Sequence, residues 1–240
     1  MTENSKIGWT DHTMNFWQGC HKVSPECKHC YIDGSMRRAG REPFAGPIRT
    51  KDWSKPAKWN RQAKENGKRL RVFTCSMSDF FHEGADQWRA EAWDVIRASD
   101  RLDWLMLTKR PERIAETLPP DWGDGFPNVW LGVTCGANSS LPRLDLLKSI
   151  PAKIRFVSAE PLLEAIDFSP HLDGSIHWII TGCEQAGVNK RQEMEIGWVK
   201  DIDQQCRKAR IAHFFKQRYQ GSQITYDGML QGKQCQAWPA

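Results

Sequence analysis

The stretch Met14-Asn15-Phe16-Trp17-Gln18-Gly19-Cys20-His21-Lys22-Val23-Ser24-Pro25-Glu26-Cys27-Lys28-His29-Cys30-Tyr31 runs a short strand-forming segment straight into three cysteines, spaced six and then two residues apart. Three thiolates can hold a metal centre and leave one coordination position free. A structural zinc site usually fills all four positions, so an open one points to catalysis.

Working outward, the same organisation recurs. A β-branched or aromatic run ends in polar residues and is followed by a helix-like stretch. Strands are expected at 14–18, 71–75, 104–107, 129–133, 154–157, 178–180 and 212–215, with helices near 86–99, 111–118, 141–150 and 198–209. In the first of these helices, Trp88, Ala92, Val95 and Ile96 share one face. Strands alternating with helices imply parallel pairing through right-handed crossovers, hence an α/β protein that closes into a full or partial (β/α) barrel of six to seven mainly parallel strands. The polar clusters fall at the carboxyl ends of the strands, the edge where such folds assemble their sites. Ser76, Ser78, Asp79, Thr108, Lys109, Ser158, Glu160, Gly182, Glu184 and Lys216 are the candidates there.

The 240 residues read as one barrel-like domain over 1–240, with a basic insertion at 37–70 between the first and second strands. From Arg37 to Arg71 there are twelve Lys and Arg against three acids, although the whole chain carries only +5. Trp53 and Trp59 are interleaved with these cations. That composition suits a nucleic acid or nucleotide, and equally a solvated helix face with its tryptophans turned inward. No run approaches a membrane span and the N-terminus lacks the apolar core of a signal peptide, so a cytoplasmic protein with no membrane partner is expected. In that compartment the eight cysteines are free or metal-bound rather than paired, and Cys75, Cys135 and Cys183 read as small buried residues. The histidines 12, 82, 171, 177 and 213 share no ligand-like spacing; His82, just after the Ser76–Asp79 cluster, is the one set apart.

The strand leading into a three-cysteine loop that ends Cys-x-x-Cys-Tyr, followed by a βα series, resembles the radical S-adenosylmethionine (radical SAM) superfamily. Within it the chain is similar to a phage- and prophage-associated branch, through the C-x6-C-x2-C loop, Ser76-Met77-Ser78-Asp79-Phe80-Phe81-His82, Leu107-Thr108-Lys109-Arg110-Pro111-Glu112-Arg113 and Ser158-Ala159-Glu160-Pro161-Leu162-Leu163. The likeness runs from Trp9 to Trp238. The first cysteine gap is six where three is commonest, His29 stands where an aromatic residue is frequent, and Thr74-Cys75-Ser76 replaces the usual Gly-Gly-Glu.

The resemblance implies that Cys20, Cys27 and Cys30 ligate a 4Fe-4S cluster whose fourth iron takes S-adenosyl-L-methionine (SAM). An external electron donor reduces the cluster, SAM is cleaved, and the resulting radical abstracts hydrogen from a substrate. Tyr31, Ser76, Ser78, Asp79, Thr108, Ser158, Gly182 and Glu184 are then expected to bind the cofactor, and Lys109, Glu160 and Lys216 to be catalytic. A nucleotide or nucleic-acid base would be recruited through residues 37–71, and completion of the site by a partner protein stays open. Two other readings of the loop stand beside this one. Cys20, Cys27 and Cys30 with His21 or His29 make a Cys3His zinc knuckle that binds nucleic acid without catalysis, and Cys27 with Cys30 makes a thiol–disulfide pair that leaves Cys20 idle.

Overall fold

The computed structural model describes residues 3–186 and 189–239. In chain order the elements are β1 (His12–Met14), β2 (Trp17–Gln18), α1 (Ile32–Arg38), β3 (Ile48–Arg49), α2 (Lys55–Glu65), β4 (Leu70–Thr74), α3 (Asp86–Arg97), β5 (Leu102–Thr108), α4 (Ile114–Thr117), β6 (Val129–Thr134), α5 (Pro142–Lys148), β7 (Ile154–Ala159), β8 (Trp178–Gly182), α6 (Ile196–Ala209), β9 (Ala212–Gln220), β10 (Gln223–Thr225), β11 (Met229–Leu230) and β12 (Lys233–Gln234). The chain divides into two compact units, one of residues 1–21, 32–131 and 150–153, the other of 22–31, 132–149 and 154–240. The parallel α/β class expected from the alternation is the class observed.

In the first unit the strand order is β1-β4-β5, continued by the start of β6. Parallel register sets Met14 beside Thr74 and Thr74 beside Met106, so the carboxyl ends of β1, β4 and β5 share one edge. Asn15, the segment 75–79 and the segment 108–110 follow directly from those ends. The interior is aromatic: Phe16 and Trp104 stack at 5.8 Å, and Phe80 sits edge-on to Phe16 at 6.2 Å.

Within the basic segment the helical reading holds for residues 55–65. The segment's centre is α2, entered by Pro56 in the first turn, which buries Pro56, Trp59, Asn60 and Ala63 along one face. Trp59 is fully buried and stacks on His12 at 4.4 Å, so it presents no ring to a base. The cations on the other face are laced to acids: Lys58 to Glu3, Lys64 to Asp100, and Arg49 from β3 to Glu91.

Helix α3 also differs from its expected face. Arg89, Ala92, Trp93 and Ile96 are buried, while Trp88 and Val95 flank the stripe. Arg89 turns inward because its guanidinium donates to the carbonyls of Phe80 (3.1 Å) and His82 (2.7 Å), the second of which also accepts from Ala85 N at 3.0 Å.

In the second unit the order is the end of β6, then β7-β8-β9-β10, parallel from β7 to β9 and antiparallel at the last pair. Ala159 pairs with Thr181 and Thr181 with Phe215, which aligns the carboxyl ends of β7 and β8 with the middle of β9. Helix α6 closes over this layer with Val199, Ile202 and Cys206, the face read from the sequence. Strand β9 runs five residues beyond its expected end and turns through β10, and the tail returns as β11 and β12. Among the described residues, no helix is long and apolar enough to cross a membrane.

Candidate cluster and cofactor site

In the first unit, the loop entry is fixed by a glycine that no other residue can replace without strain. Gly19 has φ of +96°, and a Cβ there would lie 2.3 Å from the carbonyl oxygen of Gly46. Its N–H donates to Met77 O at 2.9 Å, and Ser78 Oγ donates to its carbonyl. Cys20 follows, its N–H donating to Pro43 O at 3.0 Å.

Asp79 organises this edge. Only 4% exposed, it accepts from Thr108 Oγ1 (2.7 Å) and Phe81 N (3.0 Å) on one oxygen, and from Lys109 N (2.9 Å) and Arg110 Nη1 (3.4 Å) on the other. The same Arg110 nitrogen lies 3.6 Å from Cys20 Sγ, and its Nη2 donates to His21 O at 3.1 Å. Burial and then the Asp79 carboxylate push the Cys20 thiol up to about 11, and Arg110 pulls in the opposite direction. Ser76 exchanges hydrogen bonds with the Asn15 amide, which also receives Met77 N at 2.8 Å. Thus Ser76, Ser78, Asp79 and Thr108 are gathered with Cys20, and Lys109 contributes its backbone to Asp79 while its side chain is half-buried.

His82 sits beside this edge, with Nε2 3.1 Å from His21 Nδ1 and Nδ1 accepting from Gly84 N at 3.0 Å. Burial and the Arg110 charge hold His82 down at about 4, so its ring is neutral and the proton sits on Nε2.

The second unit carries the rest of the loop. A turn of 3-10 helix over Pro25–Cys27 sets Cys27 and, three residues on, Cys30; Cys27 Sγ lies 3.6 Å from Ser24 Oγ. None of the three cysteines is in a disulfide. Two anchors hold the turn. Glu26, with a side chain fully out of solvent, accepts from Ser140 Oγ (2.6 Å), Gly136 N (3.1 Å) and Arg143 Nη1 (3.5 Å). Burial raises its pKa, but the hydrogen bonds from Ser140 and Ser24 outweigh it and keep the carboxyl below its ordinary range. His29 Nδ1 meets Glu184 Oε2 at 3.1 Å, and that oxygen also accepts from Gln192 N at 2.9 Å.

Glu160 and Lys216 form an ion pair on the aligned strand edge, and Gln217 Nε2 adds a bond to Glu160 at 3.2 Å. Gly182 belongs to the same cluster: a Cβ there would press on Glu160 and Gln217 at 3.3 Å. Ser158 is buried within β7 with its carbonyl bonded to Cys135 N, and Tyr31 is 45% exposed.

Sequence reading named the cysteines and the strand-end acids but missed Arg110 and Glu26. Arg110 reaches Cys20 across ninety positions of chain and Glu26 reaches Gly136 across 110. Neither link leaves a local signal in the sequence.

A family model described as "Protein of unknown function (DUF5131)" matches residues 4–236. The chain belongs to this family. No curated protein matches it. Solved structures of spore photoproduct lyase, a radical SAM enzyme, are similar in fold. The complex with a dinucleoside spore photoproduct gives a TM-score of 0.54 at 14% identity, covering 93% of this chain and 70% of that one. A cysteine-to-serine mutant gives 0.52 at 13%, covering 92% and 68%, and a doubly substituted form with bound AdoMet and dinucleoside spore photoproduct gives 0.50 at 13%, covering 93% and 70%. The fold is therefore the radical SAM fold, as the cysteine loop led us to expect.

Proposed function

We propose that this protein is a radical SAM enzyme in which Cys20, Cys27 and Cys30 ligate a 4Fe-4S cluster. The observation that carries the reading is a loop of three cysteines, none of them in a disulfide, that follows β1 and β2 in a fold shared with spore photoproduct lyase. The donor set fits the group: three soft thiols in one loop, and an arginine N–H directed at the Cys20 sulfur, the kind of hydrogen bond that adjusts the potential of such clusters. When bound, the cluster supplies the electron that cleaves SAM reductively.

The chain's own residues position and exclude water. Asp79 and Arg110 set Cys20, while Glu26 and the His29–Glu184 pair set the turn bearing Cys27 and Cys30. Glu184 thus acts on the loop through His29. Ser76, Ser78 and Thr108 in the first unit, and Glu160, Lys216 and Gly182 in the second, are assigned to SAM or substrate, with Lys109 as a further catalytic candidate. His29 and His21 already face Glu184 and His82, which disfavours either as the fourth ligand of a zinc knuckle.

We further propose a nucleotide or nucleic-acid substrate. Support comes from the cationic face of residues 37–71 and from the neighbour whose structures hold a dinucleoside photoproduct. Anaerobic reconstitution with iron and sulfide, followed by SAM and dithionite, tests the class: 5′-deoxyadenosine should form, and stoichiometric zinc without acid-labile sulfide would sink the reading.

A further inference from the structure

A second constellation of metal-ligating side chains lies entirely within the second unit and plays no part in the cysteine loop. Asp203 from α6, His213 from β9 and Cys235 from the C-terminal tail bring one oxygen, one nitrogen and one sulfur together. Asp203 Oδ1 and His213 Nδ1 are 3.0 Å apart, Cys235 Sγ and His213 Nδ1 are 3.1 Å apart, and Cys235 Sγ and Asp203 Oδ1 are 3.3 Å apart. We propose that Asp203, His213 and Cys235 form a binding site for one Zn2+ ion that ties the C-terminal tail to α6 and β9.

The triangle has the right size. Zinc bonds of about 2.0–2.3 Å in tetrahedral geometry place neighbouring ligand atoms roughly 3.3–3.6 Å apart, so seating the ion opens each edge by only a few tenths of an ångström. The surroundings orient each donor. His213 Nε2 lies 3.0 Å from Thr181 Oγ1, within the buried end of β8; with the ring proton on Nε2 and the threonine oxygen accepting, the Nδ1 lone pair points into the triangle. Arg207 Nε takes the other Asp203 oxygen at 2.7 Å and leaves Oδ1 turned inward. Cys235 is pinned by its backbone, its N–H donating to Gly228 O (2.8 Å) and its carbonyl accepting from Phe215 N (2.7 Å). Ala237 N donates to His213 O at 2.9 Å, and Phe214 and Gln236 form an antiparallel bridge, so the tail lies along the strand that carries the histidine.

The donor chemistry selects the ion. A thiolate, an imidazole and a carboxylate together suit a borderline first-row cation and discriminate against Mg2+ and Ca2+, which want oxygen throughout. Thiolate and carboxylate also neutralise a divalent charge. The histidine is 4% exposed, whereas Asp203 and Cys235 are half-buried, which leaves the ion a route in and a fourth position for a small exogenous ligand. This inference does not depend on the cluster reading.

The test is a cobalt titration of the full chain carrying Cys20→Ser, Cys27→Ser and Cys30→Ser, so that the loop cannot compete, repeated on the unsubstituted chain. One equivalent of Co2+ should bind with a thiolate-to-metal charge-transfer band and visible ligand-field bands of tetrahedral intensity, and Zn2+ should displace it. Cys235→Ser should abolish the charge-transfer band. Thr181→Val, which removes only the partner of the outer ring nitrogen, should weaken binding about ten- to a hundredfold. Absence of a bound equivalent in both chains, a cobalt spectrum without sulfur character, or a spectrum unchanged by Cys235→Ser would each overturn the site.

Discussion

Arg110 donates from one guanidinium nitrogen to both the sulfur of Cys20, at 3.6 Å, and the carboxylate of Asp79, at 3.4 Å, with both charged side chains about 5% exposed. A buried cation so placed links the thiol to the strand-end network, and removing it leaves Asp79 without its countercharge. Arg110→Ala should therefore cost about 3 kcal/mol in denaturant unfolding, the lower end for a broken buried pair because Thr108, Phe81 and Lys109 still donate to the carboxylate. Arg110→Lys keeps a charge but loses the fork. It should fold, retain iron and shift the cluster's reduction potential. A potential equal to wild type in the lysine variant would show that the guanidinium does not act on the sulfur.

Glu26 gives a second handle on the loop, from the other unit. Glu26→Leu keeps roughly the size of the side chain but removes the one oxygen, Oε1, that accepts from Gly136 N and Ser140 Oγ, a loss of about 1–3 kcal/mol. If the anchor sets the cysteine turn, iron should leave this variant faster under chelation even at temperatures where the fold is intact. Equal iron-release rates would reduce Glu26 to a purely structural acid.

Gly19→Ala asks whether the loop entry tolerates a side chain. The left-handed backbone alone costs roughly 1–2 kcal/mol for an L-residue. The added methyl also meets Gly46 O at 2.3 Å, a backbone atom that has nowhere to swing. We expect poor iron incorporation together with a lowered melting temperature; a variant that loads iron and melts like wild type would mean that the two backbone segments part freely.

Acid sensitivity should come in part from His12. Its ring is held below the ordinary histidine range, by burial first, with Trp59 stacked on it and Asn4 N donating to Nδ1 at 3.2 Å. The folded state thus binds this proton less readily than the unfolded chain. Its contribution is fully present above about pH 6.5 and is lost as pH falls from there toward the depressed folded value. Urea midpoints between about pH 8 and 5 should fall on the acid side for wild type and fall less for His12→Gln, whose amide keeps an acceptor but cannot titrate in this range. Parallel curves would assign the acid loss to other groups.

What the sequence disclosed and what it hid follow from distance along the chain. Period-two and helical patterns are local, so β4 to β8, α5 and α6 could be read directly, as could a cysteine loop only eleven residues long. For α2 the sequence left a helix face with inward tryptophans and a polyanion-binding segment equally open, because the cations crowding its exposed face fit both, and the buried Trp59 shows the helix. Strand β9 continues through Gln217, which pairs with Gly182 of β8, and then through Arg218, Tyr219 and Gln220, which pair with β10; the polar run from Lys216 to Arg218 carries no strand signal of its own. The Asp203–His213–Cys235 triangle has no spacing to recognise, since helix, strand and tail converge only after folding.

The cationic segment supplies the last prediction. On α2, Lys58, Arg61 and Lys64 face solvent, yet Lys58 and Lys64 already hold Glu3 and Asp100 at 3.0 and 2.9 Å. Exposed pairs of this kind contribute little to stability, so a phosphate can displace the acid at small cost. Each phosphate neutralised on duplex DNA contributes about 0.9 to the slope of log affinity against log salt. Charge reversal at Lys55, Lys58 and Arg61 should therefore flatten that slope by roughly 3 if all three sit on phosphates, with little change in melting temperature. Trp59 takes no part, because it is fully buried; Trp53, half-buried with Arg49 4.1 Å above its ring, is the other tryptophan on this segment. Trp53→Ala should then weaken single-strand binding by about 1–3 kcal/mol if a base stacks there. Unchanged affinity and slope in the reversed variant would turn the search for substrate away from polyanions.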